Sequence, residues 1–468
     1  MTTYINDLEE LQDILDYLVI EDLPSIFDNN NILDFIETIL YIMEDYMNEN
    51  PTLISEPNFE ELFLEDIMNL FYEQFENFIY FDNLIEDDIN EIIQEVFVIF
   101  MNCFYPERSL NVNTINQYTN LTDEINESEN IFENTNEIER KNIIQYKIEK
   151  LKNIPQPEQR TQEWYEFRHN LITASNAFKV FESQSMVNQI IYEKCQPINV
   201  EKTEQFKMVN TNTPFHWGQK YEPLSVMIYE YLNKTKVGDF GCIQHEKYKF
   251  LGASPDGINI DNKSNKYGRM LEIKNIVNRE INGIPKKEYW IQMQLQMEVC
   301  DLNECDFLET KFIEYPNYNV FCEDKLITDN NEIDETKTSD GNMKGVIIYF
   351  ISKEGKPFYV YKPLNIIHKK DIEKWEEETL DLYQSDKYKY VFVSYIYWKL
   401  EKLSCVLVLR NELWFKNNIK TIENVWNIIE KERITGYEHR APSKKTKTFQ
   451  TPIIQEYFSN TGCLINLR

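Results

Sequence analysis

Apolar positions along this chain follow two rhythms. Leu8, Leu11, Ile14, Leu15 and Leu18 recur at helical spacing, as do Ile32, Phe35, Ile36, Ile39 and Leu40, and the pattern continues through Phe63, Met68, Leu70, Phe71, Phe75 and Phe78. Such spacing gives each helix one apolar stripe, and it predicts a bundle of short helices ending near Pro106. Between Asn111 and Asn136 the chain is rich in Asn, Thr and Glu, the composition of a linker. Further on, Phe250-Leu251-Gly252-Ala253 suits a short buried strand that delivers Ser254-Pro255-Asp256-Gly257 into a tight turn, with Gly257 supplying permissive backbone. In Arg269 to Asn275 a period of two puts Glu272 and Lys274 on one face, with Leu271 and Ile273 on the other. Trp217 to Pro223 opens a helix with Leu224, Met227, Ile228 and Leu232 as its apolar positions and Glu222 in its first turn. Tyr289 to Met297 reads as a helix whose Gln292 and Gln296 share a face. Val346 to Phe350 and Phe358 to Tyr361 read as strands that extend the sheet, and Ile372 to Tyr383 as an amphipathic helix.

Charge changes the picture of the first segment. The formal net charge is -31, yet residues 1–107 contain no Lys, Arg or His, and residues 1–140 hold 34 acids against Arg108 and Arg140 alone. The remaining residues are balanced, with 45 acids and 46 bases, so the later part of the chain can carry basic patches. The acidic bundle is either an accessory or partner-binding domain, or a surface competing with nucleic acid for the groove, or an appendage kept soluble by its charge. The eight cysteines show no metal-type pairing, and there is no signal peptide or apolar run long enough to span a membrane. A reduced, intracellular location follows, without secretion or membrane.

The candidate chemistry lies between Asp256 and Lys274. Two carboxylates, Asp256 and Glu272, can hold a hard divalent cation, Mg2+ with Mn2+ able to substitute, which lowers the pKa of a bound water and neutralises phosphate charge. Lys274 would hold or deprotonate that water. Upstream, Thr173 or Ser175 can cap a helix whose free N–H groups receive phosphate, and Arg168 adds a fork of donors. The alternative is an ordinary capped helix with a surface arginine.

The order E…SPDG…ExK…YxxQxQ, preceded by R…TAS, resembles the lambda-exonuclease and YqaJ-type viral recombinase branch of the PD-(D/E)xK nucleases over residues 155–315. The resemblance implies an α/β, restriction-endonuclease-like core, a central mixed sheet flanked by helices, here behind an acidic all-α N-terminal domain. It implies that Asp256 and Glu272 ligate metal, that the backbone carbonyl of Ile273 completes the metal shell, and that Lys274 is catalytic. Glu222 would support the metal and Gln292 orient the water, while Arg168 and Ser175 hold a 5′-terminal phosphate. Glu246 either matches a further acid or is a surface charge. The spacing between the acids is lengthened by Asn259 to Gly268, a turn-rich run that a longer hairpin loop accommodates. The family's exonucleases close into rings and work with a single-strand annealing protein, so the resemblance also implies a homo-oligomer and that partner.

Two later stretches carry further readings. Tyr388 to Glu432 mixes Tyr395, Tyr397, Trp398, Trp414, Phe415 and Trp426 with Lys and Arg, either to stack unpaired bases or as core and rim of a subdomain. In the tail, Ile454, Tyr457 and Phe458 resemble the plug of a sliding-clamp-binding peptide, with Thr451 where glutamine is usual; packing back on its own domain is the alternative. The expected divisions are an acidic helical domain (1–108), a polar linker (109–140), the nuclease core (141–385), a helical and aromatic extension (386–440) and a flexible tail (441–468). The expected activity is a metal-dependent 5′ to 3′ exonuclease on double-stranded DNA ends in viral recombination, repair or replication. An endonuclease of the same fold, or a non-catalytic clamp-tethered scaffold, is the alternative. Abundant Asn, Ile and Lys suit an AT-rich genome, such as that of a large DNA virus.

Overall fold

The computed structural model describes residues 29–441 apart from 57, 76–82, 106–107, 109–134, 158–160, 199–210, 212 and 328–332. The stripe from Leu8 to Leu18, Phe78, most of the linker and the tail with Ile454, Tyr457 and Phe458 lie outside the described residues.

Helices α1 (Asn29–Glu49), α2 (Phe59–Phe75) and α3 (Asn83–Phe104) turn their apolar stripes toward one another. Ile36, Ile39, Leu40, Phe63 and Phe71 meet Ile89, Ile93 and Phe97 in one buried cluster. Leu70 departs from the expected stripe and is 39% exposed. The inward line of α2 is Phe59, Phe63, Ile67 and Phe71, and Leu70 stands one step around the helix from it. Helix α4 (Thr135–Asn153) begins inside the range read as linker and buries Ile148 and Leu151 against the core.

The core then runs through α5 (Gln162–His169), β1 (Ile172–Thr173), α6 (Ala174–Ala177), α7 (Gln184–Cys195), α8 (Pro214–Asn233), β2 (Val237–Gly238), β3 (Ile243–Gln244), β4 (Leu251–Ala253), β5 (Gly257–Asn259) and β6 (Met270–Asn275). It continues through α9 (Lys287–Cys300), β7 (Glu304–Glu314), α10 (Tyr318–Glu323), β8 (Leu326–Ile327), β9 (Ile333–Asp334), β10 (Lys344–Ile351), β11 (Pro357–Tyr361), α11 (Lys369–Gln384), β12 (Val391–Leu409) and α12 (Glu412–Thr435). Seven strands form the main sheet in the order β11-β10-β12-β7-β6-β5-β2, and a second, three-stranded sheet has the order β1-β4-β3. Within the main sheet β6 and β7 are parallel, and α9 is the crossover that parallel neighbours require. The fold is α/β: a mixed, curled sheet flanked by helices.

Strand β12 is the main departure from the expected layout. The range read as a helical and aromatic extension supplies the longest strand of the sheet, seated between β10 and β7. Its aromatic residues serve the core reading: Trp398, Phe415 and Trp426 are buried.

Register assigns the two sheet faces. Glu272 pairs with Phe307, which pairs with Val406, so these three share a face with Lys274. Helix α9 packs there with Ile291, Met293, Leu295 and Met297. Leu271, Ile273, Leu308 and Cys405 turn to the opposite face, against Leu224 and Ile228 of α8. Leu407 lies on that second face and is buried in the core of the acidic bundle, where Ser55 also donates to its carbonyl. The described helices of the bundle therefore dock on the side of the sheet away from Glu272.

Candidate active site

Strand β4 delivers Ser254 and Asp256, strand β6 delivers Glu272 and Lys274, and α9 lies across both. Gly257 opens β5 without a left-handed backbone. What requires glycine is close approach: a Cβ at 257 would collide with the Val237 side chain. Its expected role in relaxing the turn is thus replaced by strand packing. The left-handed position falls instead at Gly268, φ 84°, closing the longer loop into β6.

Asp256 is half-buried, and its Oδ2 accepts the backbone N–H of Ile273 at 2.7 Å. Its pKa is pushed well above the usual carboxylate range, first by desolvation and then by the charge of Glu272, with Glu222 adding to it; Lys274 and the Ile273 N–H work the other way. Glu272 is 0% exposed, and such a carboxylate is costly unless fully hydrogen-bonded. Its Oε1 receives the Lys274 ammonium and, at 2.7 Å, the Gln292 amide, while its Oε2 receives the Gln296 amide at 2.7 Å. Burial pulls the Lys274 pKa down, but the charges of Glu272 and Asp256 outweigh it and hold the ammonium above its ordinary value. Tyr289 backs it, with Nζ 5.0 Å from the ring centroid.

A cavity of about 240 Å³ opens above these groups, and its walls include Arg168, Ser175, Asp256, Glu272, Lys274 and Gln292. Six residues singled out in the sequence thus share one pocket. Trp164, Thr173, Ala174, Ser254 and Gln296 complete it. Arg168 donates to the Ser254 hydroxyl at 3.1 Å and stacks over Trp164 at 4.6 Å. The sequence signals for these additions were present: Ser254 within SPDG, and Gln296 four residues after Gln292.

Other expectations are corrected. Helix α6 spans only four residues, and Thr173 at its N-cap makes no side-chain cap bond, so the expected hydroxyl cap is not formed by Thr173. Thr173 and Ser175 instead share a hydroxyl contact of 3.3 Å. Helix α8 begins at Pro214, capped by Thr213, which puts Glu222 two turns into the helix rather than in its first. Glu222 is exposed and is absent from the pocket wall, though its charge reaches Asp256. Ile273 is buried and takes part through its backbone. Glu246 pairs with Lys150 at 2.7 Å with a side chain 79% exposed, so it is a surface charge.

Among the described residues no group of three or more His, Cys, Asp or Glu side chains is gathered as a metal cage. The carboxylates on the pocket wall are those of Asp256 and Glu272. One residue's N–H and C=O point to the same strand edge, so the Ile273 carbonyl faces the edge where its N–H meets Asp256. Two mutually repelling carboxylates beside a backbone oxygen form a donor set that fits a hard divalent cation.

The α/β fold thus sets an acid, a second acid and a lysine in one pocket beside the β6–α9–β7 crossover. Residues 163–303, which include every residue of the pocket wall, match the YqaJ-like viral recombinase domain. The match falls on the segment whose motif order carries the resemblance. An uncharacterized protein, R354, from Acanthamoeba polyphaga mimivirus is 30% identical over 309 residues, covering 60% of this chain and 54% of that protein. The chain thus spans about half the length of that relative. Among solved structures, an alkaline exonuclease (LHK-Exo) from Laribacter hongkongensis is 17% identical, covering 60% of this chain and 95% of its own, with a TM-score of 0.31. A phage related exonuclease from Haemophilus somnus 129PT is 11% identical, covering 56% and 93%, with a TM-score of 0.28.

Proposed function

We propose that this chain is a divalent-metal-dependent DNA nuclease that removes nucleotides from the 5′ ends of duplex DNA. The observation that carries the reading is the meeting of Asp256, Glu272 and Lys274 with Arg168 and Ser175 in one pocket. Asp256, Glu272 and the Ile273 carbonyl would hold Mg2+ or Mn2+, with Glu222 adding negative charge from outside the pocket. When bound, the cation supplies a water of lowered pKa and neutralises charge on the scissile phosphate.

The remaining work falls to the chain's own side chains. Lys274, held protonated by its acidic neighbours, serves as a donor that orients water and phosphate rather than as a base. Gln292 and Gln296 spend their amides on Glu272 and fix its carboxylate plane. Arg168, with the Ser175 and Ser254 hydroxyls, offers a forked cationic seat for a terminal phosphate at the same pocket. A seat for a chain end beside the hydrolytic groups supports an exonuclease. Digestion of linear, nicked and closed circular duplexes, with and without a 5′ phosphate, tests this: phosphorylated linear DNA should be consumed fastest and closed circles left intact. Cleavage of closed circles would replace the proposal with an endonuclease.

A further inference from the structure

The helix that presents Arg168 is short and buries its aromatic residues only in part. Helix α5 is eight residues long and contains no fully buried residue. A helix this short does not keep its place through its own hydrogen bonds. Its C-terminal end is instead held by cations from elsewhere in the chain. Lys194 of α7, only 8% exposed, donates from Nζ to the Arg168 carbonyl at 2.7 Å. Arg433 of α12 spreads its guanidinium over the next two residues. It donates from Nη2 to the His169 carbonyl at 2.9 Å, from Nη1 to Asn170 Oδ1 at 3.0 Å, and from Nε back to the Lys194 carbonyl at 3.0 Å. Its Nη2 also lies 3.1 Å from His169 Nδ1. His169 Nε2 sits 2.9 Å from the Gln196 carbonyl, which can only accept, so Nε2 carries the proton and Nδ1 accepts from Arg433. Arg433 is thus bonded to both α7 and the residues that follow Arg168, and both cations sit where a helix C-terminus favours positive charge.

We propose that Arg433 is a positioning residue for Arg168, through which the C-terminal helix, outside the matched segment 163–303, sets the terminal-phosphate seat. This rests on the reading of Arg168 given above. Helix α12 is itself anchored on α7 by Arg440, which forks onto Glu432 at 2.5 and 2.6 Å and reaches Asn188 at 2.5 Å. The fork of Arg433 cannot be reproduced by an ammonium.

The test compares the parent, Arg168→Ala, Arg433→Ala and Arg433→Lys on duplexes with a 5′ phosphate or a 5′ hydroxyl. Arg433→Ala should raise KM for phosphorylated ends about tenfold, leave kcat within about twofold and lower the preference for the phosphate, the pattern of lost binding rather than lost chemistry. Arg433→Lys should show the same KM effect, and it stands in should the alanine variant fail to fold. Amide hydrogen exchange across 162–170 should quicken in either variant while the rest of the core keeps its protection. Parental KM and parental exchange in a folded Arg433 variant overturn the inference, provided Arg168→Ala does lose the phosphate preference. An Arg168→Ala variant that keeps the preference overturns the phosphate-seat reading instead.

Discussion

At the residue scale, the pocket is organised around a buried anion. Glu272 tolerates full burial because three donors converge on its two oxygens. Replacing Gln296 with Leu leaves Oε2 without its donor, and should cost about 1–3 kcal/mol in urea denaturation together with a loss of cleavage. The Gln292 and Gln296 face was legible from spacing, but its use was not. Spacing shows that two amides lie side by side, whereas what they bond depends on how α9 crosses β6. His245 gives a second prediction at this scale. It is 8% exposed, and its Nδ1 accepts the N–H groups of Lys247 and Tyr248 at 3.0 and 3.2 Å, a role open to the neutral ring alone. Burial, with Arg410, Lys249 and Lys247 adding and Glu246 opposing, pushes its pKa down to about 4 from 6.5. The unfolded chain therefore binds the proton more readily. This contribution to stability should be fully present above pH about 6.5 and be lost as pH falls toward about 4, by at most about 3 kcal/mol. Denaturant midpoints measured across that window should fall for the parent, and the slope should flatten in His245→Gln.

At the element scale, local patterns were read well and pairing partners poorly. The alternation in β6, the strands β10 and β11 and the helix α11 all stand where periodicity put them. Strand β12 was missed because its place between β10 and β7 is a long-range pairing, and its mixture of aromatic and charged residues reads equally as a rim. The short α6 was overread for a different reason, since a hydroxyl followed by small residues looks like a cap whether or not a long helix follows. Gly257 shows how a correct residue can be assigned a wrong cause. Gly257→Ala should destabilise the core by about 1–3 kcal/mol through overpacking against Val237. Because the fault is steric, Val237→Ala in the same chain should recover much of the loss in a denaturant titration; an undiminished loss would point back to the turn.

At the scale of the whole molecule, the described acidic helices and the pocket lie on opposite faces of one sheet. The described helices of the acidic bundle rest on Leu407, on the sheet face opposite Glu272 and Lys274, so the sheet stands between those helices and the pocket. Charge reversal at Glu60 and Glu61 of α2 should change KM for DNA less than about twofold at physiological salt, where exposed charges are screened beyond about 8 Å. A large drop in KM would show that the bundle does repel the substrate. The segregation of charge was legible in the sequence, but the face on which the bundle docks was not, since that depends on the register of β12. The proposed function requires Asp256, Glu272 and Lys274 to hydrolyse DNA around a divalent cation. Its most direct test is end-labelled digestion of a 5′-phosphorylated duplex by the parent, Asp256→Asn and Lys274→Ala, each with Mg2+ and with chelator. Product is expected from the parent with Mg2+ alone, and from neither variant although both stay folded. Cleavage by either variant near the parental rate, or by the parent in chelator, would contradict it.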